Sequence, residues 1–309
     1  YNKLKPYLDG SISGKALYWI SGKIIPLICI FIFVFIIVPH KIWHNHYGTY
    51  MVIFITLLFI LKAVFDDEFK IDLGKMDFTL MLFITASLFA AVLSIMPKDS
   101  MRTFILGIVP IILLFVMVNS IKNRDDVDML LLTIIASVTL ASLYGLWQYM
   151  NNIPVDPLLV DLTMGQKAVG RVFSTMGNPN NYAEILILTL PLYGAVFFNS
   201  ESINIKITTA FLSVFPVLNL AFTYSRACYI GFAVSILTYV FLKNRKWIPV
   251  LILFGILAIP FIPRTMVERM YTIGKDTSSL YRLEIWKGSV RMLADYWVTG
   301  VGAGIGPFT

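Results

Sequence analysis

The sequence predicts an all-α fold: a polytopic transmembrane helical bundle of about nine spans, followed by an extracytoplasmic amphipathic helix. Three observations predict it. Hydrophobic residues make up 58% of the 309 and charged residues only 14%, with a mean hydropathy of +0.77. Soluble domains run at about 45–50% apolar and about 25% charged, so lipid must be the solvent for most of this chain. The apolar residues fall in runs that approach the roughly 20 helical residues needed to cross a bilayer core. Lys and Arg gather in the short segments between those runs, where they set membrane orientation; a net charge of +7 therefore implies no nucleic-acid partner here.

Taken in order, residues 1–23 read as a cytoplasmic N-terminal segment, and residues 24–262 as the bundle. The candidate spans are 24–39, 49–65, 78–96, 102–119, 127–149, 181–198, 204–223, 227–242 and 247–262. Only Tyr224-Ser225-Arg226 separates the seventh from the eighth. With the N-terminus inside, thirteen Lys and Arg fall in inner loops and six in the short outer loops before residue 263 (Lys41, Lys98, Arg102, Lys167, Arg171 and Arg226), the direction the positive-inside rule requires. An odd number of spans then places residues 263–309 outside. Two outer segments are long: 150–180, rich in Asn, Pro and Gly, and 263–309, which opens on Pro263. Structureless stretches of that length are usually functional or disordered. The chain begins at Tyr1 with no signal-peptide pattern, and both termini read as truncated.

Three constellations carry chemical meaning. In 170–184, Asn178 before Pro179 is an N-cap followed by Pro at the first helical position, while Asn181 and Glu184 make an alternative capping box. Either starts the sixth span at the outer face, where free N–H groups and partial positive charge attract anions; Arg171 lies just upstream. Contact between Arg171 and lipid phosphates is the plain alternative. In Thr223-Tyr224-Ser225-Arg226, Arg226 falls in the first turn of the next helix, on the unfavourable side of its dipole. An anionic substrate would compensate it, as would snorkelling to the headgroups. Two outer arginines suit a pyrophosphate, because guanidinium binds phosphate through two parallel hydrogen bonds.

Ser278–Trp297 is amphipathic: Glu284, Lys287, Arg291 and Asp295 share a narrow arc, opposite an apolar side. Arg282 projects from that apolar side, beside Trp286, Ser289 and Leu293. A charge on a buried face needs a partner, either a ligand or a structural ion pair with Glu or Asp. Other patterns have simpler readings. Gly300, Gly302, Gly304 and Gly306 lack the strand a dinucleotide loop requires. His40, His44 and His46 sit with Trp43 and Tyr47 as an interfacial belt rather than a metal site. Asp66, Asp67, Glu68, Asp72 and Asp77 mix with lysines on a solvated surface. Cys29 and Cys228 lie inside apolar runs, so no disulfide framework is supported.

The stretches GRVFSTMGNPNNYAEILILTLPL (170–192), TYSRACYIGF (223–232) and SLYRLEIWKGSVRMLADYWVTGVGAGIGPF (279–308) together resemble three successive signatures of the O-antigen ligase/polymerase family. The resemblance covers about a fifth of the chain. It implies a membrane-embedded, metal-independent glycosyltransferase of the bacterial cytoplasmic membrane that needs no cofactor. Such an enzyme moves a glycan from an undecaprenyl-pyrophosphate carrier to an acceptor sugar, such as lipid-A core or a growing polysaccharide. Arg171 and Arg226 then match the arginines that hold the pyrophosphate, and Arg282 matches, more loosely, the arginine of an R-x-x-x-W stretch. Asn178, Asn180 and Ser225 fall beside them as secondary positions. The family's base is a His downstream of the glycine-rich stretch, beyond Thr309, so the catalytic base is not among these residues and the chain as it stands is expected to be inactive. Two other classes fit the frame. A secondary transporter of an anionic solute would carry charge at mid-depth in its spans, which these spans almost lack, and a peptidoglycan-type polymerase would use the same carrier lipid.

Overall fold

The computed structural model describes residues 12–43, 45–66, 69, 71–72, 74, 78–156, 170–249, 252–253 and 277–304. Among them all regular structure is helical: α1 (Ile12–Ser21), α2 (Ile24–Ile37), α3 (Asn45–Phe65), α4 (Phe78–Val92), α5 (Pro97–Ser120), α6 (Arg124–Met150), α7 (Pro179–Asn199), α8 (Ile203–Thr223), α9 (Arg226–Lys243) and α10 (Thr277–Asp295). Six of these, α3 and α5 to α9, are long and apolar enough to cross a membrane. The pair α1 and α2 reaches that standard only together, bent by 75° at its break, and α4 is a shorter apolar helix. Eight of the nine expected spans therefore coincide with α2 to α9, while 247–262 lies mostly outside the described residues. Large apolar side chains such as Met150, Leu188 and Leu242 stand three-quarters exposed, as lipid-facing surface requires. The protein is a multi-pass membrane protein. Proline occurs inside α5 (Pro110), α7 (Pro191) and α8 (Pro216), which transmembrane helices tolerate when neighbours satisfy the freed carbonyls.

The chain divides into two compact units, 1–32 with 44–130 and 284–309, and 33–43 with 131–283. In the first unit α3 packs on α1 and α5, and α4 on α5. The aromatic ring of Phe59 meets Phe69 and Phe115 edge-on, and the buried Lys62 lies with its ammonium over the Phe69 ring at 4.9 Å. At the other end of α5 the glycine-rich segment docks on the α4–α5 turn. Ser94 Oγ and the Ile95 N–H both donate to the Val301 carbonyl, at 2.8 and 3.3 Å. A β-carbon on Gly302 would fall 2.1 Å from Ser94 Oγ and 2.3 Å from Ser100 Oγ, and its φ of +109° already excludes most side chains. Gly302 thus serves close backbone packing. Within the first unit the α4–α5 turn and residues 301–302 lie together.

In the second unit α7 packs along α8 and α9, and polar side chains within the membrane-spanning helices find partners on other elements. Asn219, fully buried in α8, donates from Nδ2 to the Ser142 carbonyl of α6 at 2.8 Å. Gly145 makes this approach possible, since a β-carbon there would fall 2.0 Å from Asn219 Oδ1. The hydroxyls of Tyr182 and Ser142 pair at 3.1 Å, and those of Tyr193 and Thr139 at 2.8 Å. Small residues and interhelical hydrogen bonds are the usual means of helix association in lipid, where apolar burial against a neighbouring helix gains little.

Candidate functional site

The site forms where five helix ends of the second unit meet. Its centre is the 3-10 turn Ser174–Met176 just ahead of α7. Ser174 holds a left-handed φ of +48°, a conformation that disfavours non-glycine residues. Three hydrogen bonds maintain it: the Ser174 N–H donates to Gln148 Oε1 at 2.7 Å, Gln148 Nε2 donates to the Ser174 carbonyl at 3.0 Å, and Ser174 Oγ donates to the Ala141 carbonyl at 2.6 Å. Thr175 Oγ1 donates to the Ile36 carbonyl at 2.6 Å, and the His40 N–H donates to the Thr175 carbonyl at 2.8 Å. The ends of α2 and α6 are thereby tied to the turn that starts α7.

Asn178 caps α7 in extended conformation, its Oδ1 accepting from the Asn180 N–H at 2.8 Å with Pro179 as first helical residue. Of the two expected caps, Asn178 is the one formed. Arg171 is half-buried and bridges two helix ends. Its Nε donates to the Thr223 carbonyl at the C-terminus of α8, and its Nη2 donates to Asn180 Oδ1, both at 2.9 Å. A cation at a helix C-terminus is on the favourable side of the dipole. The Val172 N–H donates to the Phe222 carbonyl at 2.9 Å, and the Phe222 ring stacks on Tyr149 with centroids 3.9 Å apart. Residues 171–172 therefore lie along the last turn of α8.

The break between α8 and α9 is two residues long. Tyr224 adopts φ +52° and Ser225, buried, is the N-cap of α9 without a side-chain capping bond. Arg226 is the first residue of α9 and half-buried. It follows the Thr223 carbonyl held by Arg171 by three residues, a backbone reach of at most about 11 Å. Arg171, Asn178, Asn180, Ser225 and Arg226 thus belong to one end of the unit, where two helices begin and a third ends.

Residues 211–309 match the family model for O-antigen ligase. That match supports the O-antigen ligase/polymerase family. No curated protein and no solved structure matches the chain. The O-antigen ligase match takes in α9, Thr223, Ser225, Arg226 and the α10 helix, but not Arg171, Asn178 or Asn180. Those three join it through the bonds of Arg171 to Thr223 and Asn180 and of the Asn180 N–H to Asn178 Oδ1. Glycan transfer of the ligase or polymerase type is the activity the match supports.

Arg282 is exposed, as is the side of α10 that carries it, Trp286 and Leu293 included, and among the described residues no ion pair with a carboxylate is formed by Arg282. The expected buried face is not buried, because an apolar stripe in a membrane protein has lipid as a partner as well as protein. The ion pair of α10 is Lys287 with Glu284, 2.7 Å apart and exposed; that hydrogen bond, with the lysine's charge, holds the Glu284 carboxyl below its usual range. Among the described residues no three His, Cys, Asp or Glu side chains are grouped to hold a metal ion.

The same three helices enclose a second feature further along their length. An apolar cavity of about 570 Å³ lies between α7, α8 and α9, lined by residues such as Leu190, Phe197, Val217, Phe232, Ile236 and Tyr239. Counted along α9 from Arg226, its lining begins at Phe232 and ends at Val240, about 9 to 21 Å from the arginine end at 1.5 Å per residue. The polar scaffold around Gln148, Ser142 and Asn219 has no counterpart in the sequence motifs; its signal was a polar residue inside an otherwise apolar run.

Proposed function

We propose that this chain takes part in transferring a glycan from an undecaprenyl-pyrophosphate carrier to an acceptor sugar at the outer face of the bacterial cytoplasmic membrane. The observation that carries the reading is the Arg171 bridge, which sets one guanidinium at the shared helix end that Arg226 opens. Charge balance supports it. Two cations and the N-terminus of α9, whose cap makes no side-chain bond, collect at one boundary, and a diphosphate headgroup supplies the matching negative charge. The apolar cavity along the same helices supports a lipid-linked donor, since a hydrocarbon tail attached to that headgroup would run down the bundle.

In this mechanism the acceptor hydroxyl attacks the anomeric carbon, the bond from that carbon to the pyrophosphate oxygen breaks, and the carrier diphosphate leaves. The hydroxyl proton passes to a base, which the resemblance places downstream of the glycine-rich stretch. Arg226 and Arg171 stabilise the negative charge that grows on the leaving group. Preorganised charge of that kind is usually the largest catalytic contribution.

The two arginines differ in one respect that matters for testing. Arg171 also holds the Thr223 carbonyl and Asn180, so its removal perturbs the junction itself. Arg226→Ala is the cleaner probe. One lost charge-assisted contact is worth about 1.5–3 kcal/mol, or roughly 10- to 150-fold in rate. In a strain whose own copy carries Arg226→Ala, surface glycan should fall by at least tenfold at an unchanged amount of membrane-inserted protein. Wild-type glycan in that strain would overturn the assignment. Uptake of a labelled anionic solute into vesicles, abolished by the same change, would favour a transporter instead.

A further inference from the structure

We infer that His40 is a further binding residue of this site, one that hydrogen-bonds a phosphate oxygen of the lipid-linked donor; this rests on the reading above. The sequence groups His40 with His44 and His46 as an interfacial belt; in the structure His40 and His46 belong to different compact units. His46 belongs to the first unit, its ring tilted beside Tyr50 at 6.5 Å. His40 belongs to the second unit and is tied by its backbone N–H to the Thr175 carbonyl at 2.8 Å. The Thr175 hydroxyl fastens the same stretch from the other side, through the Ile36 carbonyl at 2.6 Å. The end of α2 is thereby clamped against the turn that starts α7.

Gly177 determines what His40 lies next to. It is the residue before the cap Asn178, it holds φ +71°, and a β-carbon placed on it would be 3.9 Å from His40 Cβ. Glycine is the residue suited to that backbone conformation, and it leaves no side chain between His40 and the start of α7. The imidazole therefore leaves its backbone beside the turn whose next residues are Asn178 and, two further, Asn180, the residue that Arg171 grips. His40 is half-buried, with the Phe35 ring edge-on to it at 6.1 Å. An aromatic filler packed on Phe35 would account for the ring but has no use for its nitrogens. Imidazole offers an N–H donor in either protonation state, and a third donor of this kind, on a separate element from both arginines, would fix the orientation of a diphosphate that two guanidinium groups alone leave free to rock.

The test separates packing from donation. His40→Phe keeps a ring against Phe35 and removes the donor, whereas His40→Gln removes the ring and keeps an N–H. Farnesyl diphosphate is titrated into each purified protein in detergent, with Arg226→Ala alongside. The expected result is a dissociation constant raised about tenfold in His40→Phe and within about threefold of wild type in His40→Gln. Wild-type affinity in His40→Phe overturns the inference, as does a His40→Gln protein as weak as His40→Phe. If those results come with weakened binding in Arg226→Ala, only the role of His40 falls. If Arg226→Ala binds like wild type, the diphosphate reading itself fails and His40 goes with it.

Discussion

Arg171 joins two helix ends through a single side chain, and that makes it both a scaffold and a candidate ligand. Lysine cannot reproduce the two fixed N–H directions that reach Thr223 and Asn180, so Arg171→Lys should lose glycan transfer although charge is kept. Its protein should also unfold at a lower temperature in detergent; a Lys variant with wild-type transfer would show that charge alone suffices. Gln148 is the converse case, a residue with no proposed contact to substrate. Gln148→Leu would leave the buried Ser174 N–H and carbonyl without their partner, at about 1–3 kcal/mol for each unsatisfied group. We expect a clear drop in the detergent melting temperature, and transfer should fall only as far as the folded fraction does. Arg171, Arg226 and the Asn178 cap were legible in the sequence because a loop cation and an Asn-Pro step are local signals. Gln148 and Asn219 were not, because their partners lie 26 and 77 residues away and a polar residue in an apolar run does not say which helix will face it.

At the scale of elements, two glycines decide how closely segments approach. Gly145→Ala drives a methyl group into Asn219 Oδ1 and the Val172 side chain. Overpacking of this kind costs about 1–3 kcal/mol, and the separation of α6 from α8 should lower both the yield and the melting temperature of the protein. In the glycine-rich segment the prediction is a contrast. Gly300 has φ +65° with nothing within 4 Å of its missing β-carbon, whereas Gly302 combines φ +109° with a collision against Ser94 and Ser100. Gly302→Ala should release the segment from the α4–α5 turn, seen as new protease sensitivity near residue 300, and Gly300→Ala should not. Equal sensitivity in the two would contradict the docking. The sequence reads this stretch as lacking the strand a nucleotide loop requires, yet the hydroxyls that Gly302 accommodates belong to Ser94 and Ser100, some 200 residues earlier. The helix α10 was legible as amphipathic from its periodicity, but what covers its apolar side was not, because lipid and protein leave the same pattern.

For the molecule as a whole, sidedness links the fold to the chemistry. Alternation of spans assigns the ends of α2, α6 and α8 and the starts of α7 and α9 to one side, and the second unit gathers those five ends at one turn. Within the first unit the α4–α5 turn and residues 301–304, also assigned to that side, lie together. From the Lys and Arg distribution we propose that this side is the outer one. Single cysteines at Lys98 and Lys243, on opposite ends of their helices by this reading, should differ in intact cells: Lys98→Cys should react with a membrane-impermeant maleimide and Lys243→Cys should not. The central claim is narrower than topology, namely that the gathered helix ends bind the diphosphate of a lipid. Farnesyl diphosphate, farnesyl monophosphate and farnesol, titrated against the wild-type protein and Arg226→Ala, test it most directly. The account predicts that the diphosphate binds the wild-type protein at least tenfold more tightly than the monophosphate, and that Arg226→Ala loses this preference while farnesol is unaffected. Equal affinity for all three lipids, or a preference that survives in Arg226→Ala, would contradict it.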